Sequence, residues 1–207
     1  MAPLELTHYG YDVLLRIIFG LILLWAWLTY FGVMPWSKYD FKKLARGAIA
    51  LKIAYALSET VAQYMVWSGT DFTKIFLTSP SSDIFNFKGG FFLFYVLNRF
   101  WGGMVLGILI AWLFYKSLLY LKKYNERFLA KGEAELGFLA ALLMGWPDFT
   151  LFLPMFLVLM IFISLARQVI SKEKYTTLGL PMLIAASAIL AFEPYFTRLF
   201  GLGALKL

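Results

Sequence analysis

The stretch FTLFLPMFLVLMIFISLA, residues 149–166, contains no charged side chain and is about as long as a bilayer-spanning helix. Four further apolar blocks of at least this length lie at residues 13–33, 44–67, 91–121 and 178–200. A water-soluble helix of this length would show a polar face, and most of these blocks lack one. The pattern predicts an all-α, polytopic transmembrane helical bundle with five or six membrane segments, in a single integral membrane domain spanning residues 1–207.

The composition restricts the chemistry that the protein can perform. Hydrophobic residues make up 61% of the 207 residues, and the mean hydropathy is +0.75. The chain has no cysteine and one histidine, His8, which excludes disulfides and argues against haem or another transition-metal centre. We therefore predict no cofactor and no metal. The net charge of +7 does not indicate nucleic-acid binding, because the basic residues cluster in short segments between the apolar blocks.

Three of these segments, residues 34–47, 116–131 and 167–174, are rich in lysine and arginine. The positive-inside rule places the first two in the cytoplasm, and the N-terminus and residues 68–88 outside. We therefore predict an integral protein of a prokaryotic cytoplasmic membrane with its N-terminus outside. If the chain between residues 135 and 166 crosses the membrane a single time, the third segment lies outside. If the chain enters the membrane and returns, the third segment stays in the cytoplasm with the other two.

The sequence Trp146-Pro147-Asp148 offers a way for the chain to turn back. Proline lacks an N–H donor and clashes with the preceding helical turn, so it ends or kinks a helix. We predict a short half-helix at residues 136–145, followed by a span at residues 149–166. A re-entrant hairpin is favoured because it keeps the third basic segment inside, and a single crossing is the alternative.

Charged side chains within the apolar blocks are costly and therefore indicate a structural or functional role. The predicted buried polar site consists of Glu59, Arg99, Glu193, Lys52 and Asp148. We expect Arg99 to pair with Glu59 or Glu193, either as a structural ion pair or as part of a functional site. For Arg16 we expect snorkelling to the headgroups or a local pair with Asp12, one turn away.

Trp101, Gly102 and Gly103 predict a second feature, because paired glycines permit the close approach of a helix or a lipid chain. We expect a groove for lipid or helix packing at these three residues. Membrane lipids and other membrane protein subunits are the partners that this surface would suit.

The same stretch, residues 100–104, resembles the Phe-His-Gly-Gly-Leu element of the prolipoprotein diacylglyceryl transferases, with Trp101 in place of the histidine. Residues 51–55, which include Lys52, are similar to that family's Gly-Arg-hydrophobic-Gly-Tyr element. Residues 146–148 stand where it has His-Pro-Thr/Ser, and Gly179-Leu180 and Glu193 match its last helix in spacing. The resemblance implies transfer of a diacylglyceryl group from phosphatidylglycerol to a lipoprotein cysteine. The family's Gly-Arg-x-Gly-Asn-Phe element has no counterpart here.

A competing resemblance links residues 103–200 to the C-terminal half of the type IV prepilin peptidases. Gly132-Glu133 stands where that family has Gly-Asp, and Asp71 stands for its other aspartate. Further stretches similar to the family are Gly103-x-x-x-Gly107, Gly145-Trp146, residues 178–181 and Thr197-Arg198. The resemblance implies an aspartyl peptidase, which needs two carboxylates that share a proton. Alternatively, Glu133 and Glu135 are an acidic first turn that stabilises a helix N-terminus.

Three functions fit these patterns. The leading hypothesis is a non-catalytic subunit or scaffold of a membrane complex that packs against lipids and partner helices. The alternative is a lipid- or peptide-modifying intramembrane enzyme that has diverged from one of the two families. A pathway for protons or small solutes through the buried charges is the third hypothesis.

Overall fold

A computed structural model describes residues 3–33, 41–80, 86–124, 129–170 and 177–201, with the backbone alone for residues 3–12 and residue 197. The described chain is helical and contains no strand. Its helices are α1 (Pro3–Tyr30), α2 (Phe41–Ser68), α3 (Asp71–Thr78), α4 (Gly90–Val96), a π-helical segment (Leu97–Gly102), α5 (Gly103–Tyr124), α6 (Glu133–Met144), α7 (Phe149–Ile170) and α8 (Gly179–Leu199). The predicted all-α membrane bundle is thereby confirmed.

The predicted number of membrane segments is wrong, because four described helices rather than five or six are long and apolar enough to cross a membrane. They are Val13–Tyr30, Gly90–Tyr124, Phe149–Ile170 and Gly179–Phe196. Helix α2 has 28 residues, which is long enough, but its charged residues lower its hydropathy. Helix α6 has 12 residues, and a helix of that length rises only about 18 Å.

The most apolar helix lies outside the core of the bundle. The α7 span has a mean hydropathy of 2.5, yet only 11% of its residues are buried within the protein. Phe162, Val169 and Ile170 on this helix are exposed. A surface of this kind is stable in lipid and not in water, so the distribution of apolar side chains agrees with an integral membrane protein.

Helix α6 is the centre of the bundle. Ala140, Ala141 and Leu142, consecutive residues that point to different sides of the helix, are almost completely buried. Helices α2, α5 and α8 surround it. Gly137 allows close packing, because a Cβ atom there would meet the side chains of Leu118 on α5 and Met182 on α8.

Helix α6 ends at the predicted break, and the chain then turns back. Gly145 has a positive φ of 67°, which side-chain-bearing residues rarely adopt, and α7 begins at Phe149. The rings of Phe149, Phe152 and Phe156 pack around the ring of Phe114 on α5, with centroids 5.5–6.2 Å apart. Helices α5 and α6 are antiparallel, because Gly107 lies at Gly145 and Leu118 lies at Gly137. The contacts of α7 with Phe114 therefore direct α7 back towards the end of the bundle at which α6 begins. The half-helix and the break after it agree with the prediction.

The ends of α1, α6 and α8 meet in one hydrogen-bonded cluster. The Tyr30 hydroxyl lies 3.3 Å from Glu133 Oε1 and 3.2 Å from Thr177 Oγ1. Each of these residues flanks one of the three basic segments, so the described parts of the three segments lie at the same end of the bundle, here named the basic end. Residues 34–40, 125–128 and 171–176 of these segments lie outside the described residues. Helices α3 and α4 are at the opposite end.

Candidate functional site

The central cavity, of about 260 Å³, lies beside the break between α6 and α7. Its charged lining consists of Arg16, Lys52, Asp148 and Glu193. The remaining lining is mostly apolar and comprises Leu15, Phe19, Leu143, Met144, Trp146, Ile189 and Leu190. The cavity therefore combines two cations and two carboxylates with apolar walls inside a membrane protein.

An ion pair between the first and the last helix forms one side of the central cavity. Arg16 Nη2 of α1 lies 2.5 Å from Glu193 Oε2 of α8. The two helices are antiparallel, and an added Cβ at Gly20, one turn further along α1, would lie 4.0 Å from Leu190 on α8. The Glu193 side chain is 11% exposed and that of Arg16 is 40% exposed, so the pair is partly shielded from solvent.

Lys52 supplies the second cation, from the middle of α2. A Cβ atom at Gly145 would lie 2.9 Å from Lys52 Nζ, so the glycine at the helix break leaves room for the ammonium group. The same Nζ lies 5.1 Å from the centroid of the Phe19 ring, within range of a cation–π interaction. The Asp148 carboxylate, just after the break, interacts electrostatically with Lys52. The break therefore provides both the space and the counter-charge for this lysine.

The cavity brings together three of the five polar residues predicted as a site, namely Lys52, Asp148 and Glu193. Glu59 is 2% exposed on α2, two turns beyond Lys52, and does not line the cavity. Arg99 is exposed on the π-helical segment rather than buried. Glu193 pairs with Arg16 of α1, and of the two pairs expected for Arg99, the pair with Glu59 stays a prediction.

Arg16 is the site residue that sequence reasoning missed. Its charge suggested snorkelling or a local pair with Asp12, whose side chain lies outside the described part of the structure. The observed partner, Glu193, lies at the other end of the chain. Sequence spacing shows which residues share a helix face, but it does not show which faces of distant helices meet.

The groove expected at Trp101, Gly102 and Gly103 stays a prediction, and the structure gives the surroundings of these residues. Trp101 Nε1 donates a hydrogen bond to Thr60 Oγ1 of α2, at 3.1 Å, which fixes the π-helical segment to α2. A Cβ at Gly103 would meet no described atom within 4 Å, so no described helix packs closely there. The close approach is at Gly107, one turn further on, where an added Cβ would lie 3.2 Å from Gly145 Cα. Gly102 is partly buried.

The two acidic residues of the peptidase resemblance do not form a pair. Asp71 is exposed at the start of α3, and its Oδ1 accepts a hydrogen bond from Lys74 Nζ at 2.8 Å. Glu133 is 2% exposed, and its carboxylate accepts the backbone N–H groups of Ala130 and Gly179, both at 2.9 Å. The carboxylate of Glu133 therefore stabilises helix N-termini, as the alternative interpretation predicted, and α8 is one of them.

No family model matches this chain, and neither does any curated protein or solved structure. Among the described residues, no group of three or more His, Asp or Glu side chains is close enough together to hold a metal ion. The geometry of the central cavity is therefore the basis for assigning a function.

Proposed function

We propose that this protein is a non-catalytic membrane protein that binds the headgroup of a membrane lipid in its central cavity. The observation that carries the proposal is the presence of both charge signs in one cavity with apolar walls. Arg16 and Lys52 suit a phosphodiester, while Asp148 and Glu193 suit an ammonium or hydroxyl group. Each cavity cation already has a carboxylate beside it, so the lining is neutral, and a zwitterionic headgroup such as phosphatidylethanolamine matches it best.

A groove between α1 and α8 provides a place for the acyl chain. It has a volume of about 430 Å³ and shares Leu190 with the central cavity. Leu23, Leu24 and Ala191 also line it, and its surface is largely apolar. Trp27 Nε1 donates to Ser187 Oγ at 2.9 Å and so links the two helices within the groove. The charged cavity would hold the headgroup of a phospholipid, and the adjoining apolar groove would hold its acyl chain.

The role in the cell and the orientation belong to the same proposal. We infer that the basic end faces the cytoplasm of a prokaryotic cell, since it collects the three basic segments, and that the N-terminus is outside. The paired charges favour holding a ligand over exchanging protons with it. A protein of this kind would serve as a subunit or scaffold that packs lipids against the helices of a membrane complex.

Native mass spectrometry of the purified protein tests lipid binding directly. The protein in mild detergent is titrated with phosphatidylethanolamine, phosphatidylglycerol or uncharged diacylglycerol. We expect phosphatidylethanolamine to be retained best, and the variant Lys52→Met to retain it about tenfold less, as loss of one charge-assisted contact implies. Lys74→Met is the matched control, because Lys74 is exposed and pairs with Asp71 far from the cavity.

Two results would contradict the proposal. One is equal retention of phosphatidylethanolamine and diacylglycerol by the unaltered protein, because a headgroup site must distinguish them. The other is equal loss of binding in Lys52→Met and Lys74→Met. The melting temperature of each variant in lipid-free detergent separates weakened binding from unfolding.

A second candidate function is catalysis of the diacylglyceryl transferase type. The observation that favours it is that three stretches similar to that family contribute residues to the central cavity, namely Lys52, Trp146 with Asp148, and Glu193. Trp101, in the fourth stretch, contacts Thr60 and does not line the cavity. The test incubates the protein with labelled phosphatidylglycerol and a cysteine-containing lipoprotein peptide. Transfer of label to the peptide by the unaltered protein, lost in Glu193→Gln, would establish the transferase activity. If the unaltered protein transfers no label, lipid binding is the function that remains.

A further inference from the structure

A second groove lies at the basic end, between α2, α5 and α6, and is separate from the central cavity. Its volume is about 260 Å³. Lys42 and Arg46 on α2 and Glu135 on α6 form its polar part, and Trp112, Tyr115 and Phe138 form its aromatic walls. Ala45, which also lines the groove, is nearly completely buried, and its small side chain leaves space between the two basic residues.

The charges of this groove are unbalanced, unlike those of the central cavity. Lys42 Nζ lies 3.6 Å from Glu135 Oε1, so the lining carries two cations and one carboxylate. Lys116 adds a further positive charge, since its Nζ lies 5.4 Å from the centroid of the Trp112 ring. A ligand that complements this surface is therefore anionic.

The polar and apolar parts of the groove follow the order of a phospholipid. Lys42 and Arg46 lie in the first turns of α2, at the basic end, while Ile49 lines the groove about one turn deeper. On α5, which runs towards the basic end, Trp112 lies one turn deeper than Lys116. A phosphate at the level of Lys42 and Arg46 would have its acyl chain against Ile49, Trp112 and Phe138.

We propose that this groove binds an anionic phospholipid, such as phosphatidylglycerol or cardiolipin, from the leaflet at the basic end. The proposal goes beyond the function proposed for the central cavity and does not depend on it. The phosphodiester would lie between Lys42, Arg46 and Lys116, and the edge of the Trp112 ring would contact the acyl chain.

The experiment compares a groove variant with a variant of equal charge elsewhere. Lys42→Gln/Arg46→Gln removes both lining cations, and Lys122→Gln/Lys123→Gln removes two cations at the end of α5 that do not line the groove. Nanodiscs of phosphatidylcholine are doped with phosphatidylglycerol carrying brominated acyl chains, and quenching of tryptophan fluorescence is measured. Comparison with Trp112→Phe gives the contribution of Trp112.

We expect quenching of Trp112 by brominated phosphatidylglycerol at a concentration at least five times lower than by brominated phosphatidylcholine. The preference should disappear in the groove variant, persist in the control variant, and weaken at high salt. Equal quenching by both lipids, or equal loss in both double variants, would overturn the proposal. Displacement of the lipid by millimolar inorganic phosphate would likewise overturn it, by indicating a site for the free anion.

Lys52→Met separates this site from the central cavity. It should leave the quenching of Trp112 unchanged even if it abolishes binding of phosphatidylethanolamine. Loss of Trp112 quenching in Lys52→Met would mean that the groove is not a separate site. That result would refute the proposal for the groove and leave the proposal for the central cavity standing.

Discussion

Glu133 is the buried charge with the best-defined set of partners. Its Oε1 accepts hydrogen bonds from the Gly179 N–H at 2.9 Å and the Tyr30 hydroxyl at 3.3 Å. Its Oε2 accepts from the N–H groups of Ala130 at 2.9 Å and Leu178 at 3.3 Å. Because these donors belong to the ends of α1, α6 and α8, one carboxylate holds three helix ends together. The positive ends of two helix dipoles also favour a negative charge at this position.

Replacement of Glu133 by alanine should therefore destabilise the bundle by about 3 kcal/mol or more, since it leaves buried N–H groups without an acceptor. The free energy of unfolding is measured by titration with a denaturing detergent. Glu135→Ala is the control, because its ion pair with Lys42 is long at 3.6 Å and partly exposed, and such pairs contribute about 1 kcal/mol or less. Similar losses for both variants would show that Glu133 does not have this role.

At the scale of elements, the contact between α5 and the helix break determines the shape of the central cavity. An added Cβ at Gly107 would lie 3.2 Å from both Gly145 Cα and Trp146 N, which are backbone atoms with little freedom to move. The absence of a side chain at Gly107 thus lets α5 support the turn that carries Trp146 and Asp148. The end of α6, and with it the cavity, depends on this close approach.

We expect Gly107→Val to separate α5 from the break and to destabilise the protein by about 2 kcal/mol, within the range of overpacked cores. It should also weaken lipid retention in the central cavity, because the break positions Asp148. Gly103→Val is a matched control on the same helix, since a Cβ there meets no described atom within 4 Å. Detergent denaturation and native mass spectrometry of both variants provide the measurements. Unchanged stability in Gly107→Val would refute the tight contact.

At the scale of the whole molecule, the turn between α6 and α7 determines at which end of the bundle the third basic segment begins. A single crossing would have put the third basic segment at the opposite end from the other two. The cluster of Tyr30, Glu133 and Thr177 instead joins the residues that flank the three segments. The short α6 is stabilised in this position because α2, α5 and α8 shield it from lipid.

The 207 residues contain no cysteine, so single cysteines introduced into them can report this topology. We expect Tyr124→Cys and Ile170→Cys to react with a membrane-impermeant maleimide from one side, and Asp71→Cys and Gly201→Cys from the other. The proposed orientation predicts that the first pair reacts only after the cells are permeabilised. Labelling of Ile170→Cys together with Asp71→Cys in intact cells would indicate a single crossing instead.

The sequence by itself determined that this protein is an all-helical membrane protein with a half-helix before Pro147. Hydropathy and the missing N–H of proline act locally, so they can be read from neighbouring residues. Lys52, Asp148 and Glu193, which line one cavity, could be singled out for the same reason, because a charge in an apolar helix is evident without knowledge of its neighbours.

Only the tertiary structure decided which charges meet. The pairing of Arg16 with Glu193, the exposure of Arg99 and the tight contact at Gly107 rather than Gly103 all depend on the rotation and relative height of helices distant in sequence. A helical period fixes which residues share a face, but packing fixes which faces touch.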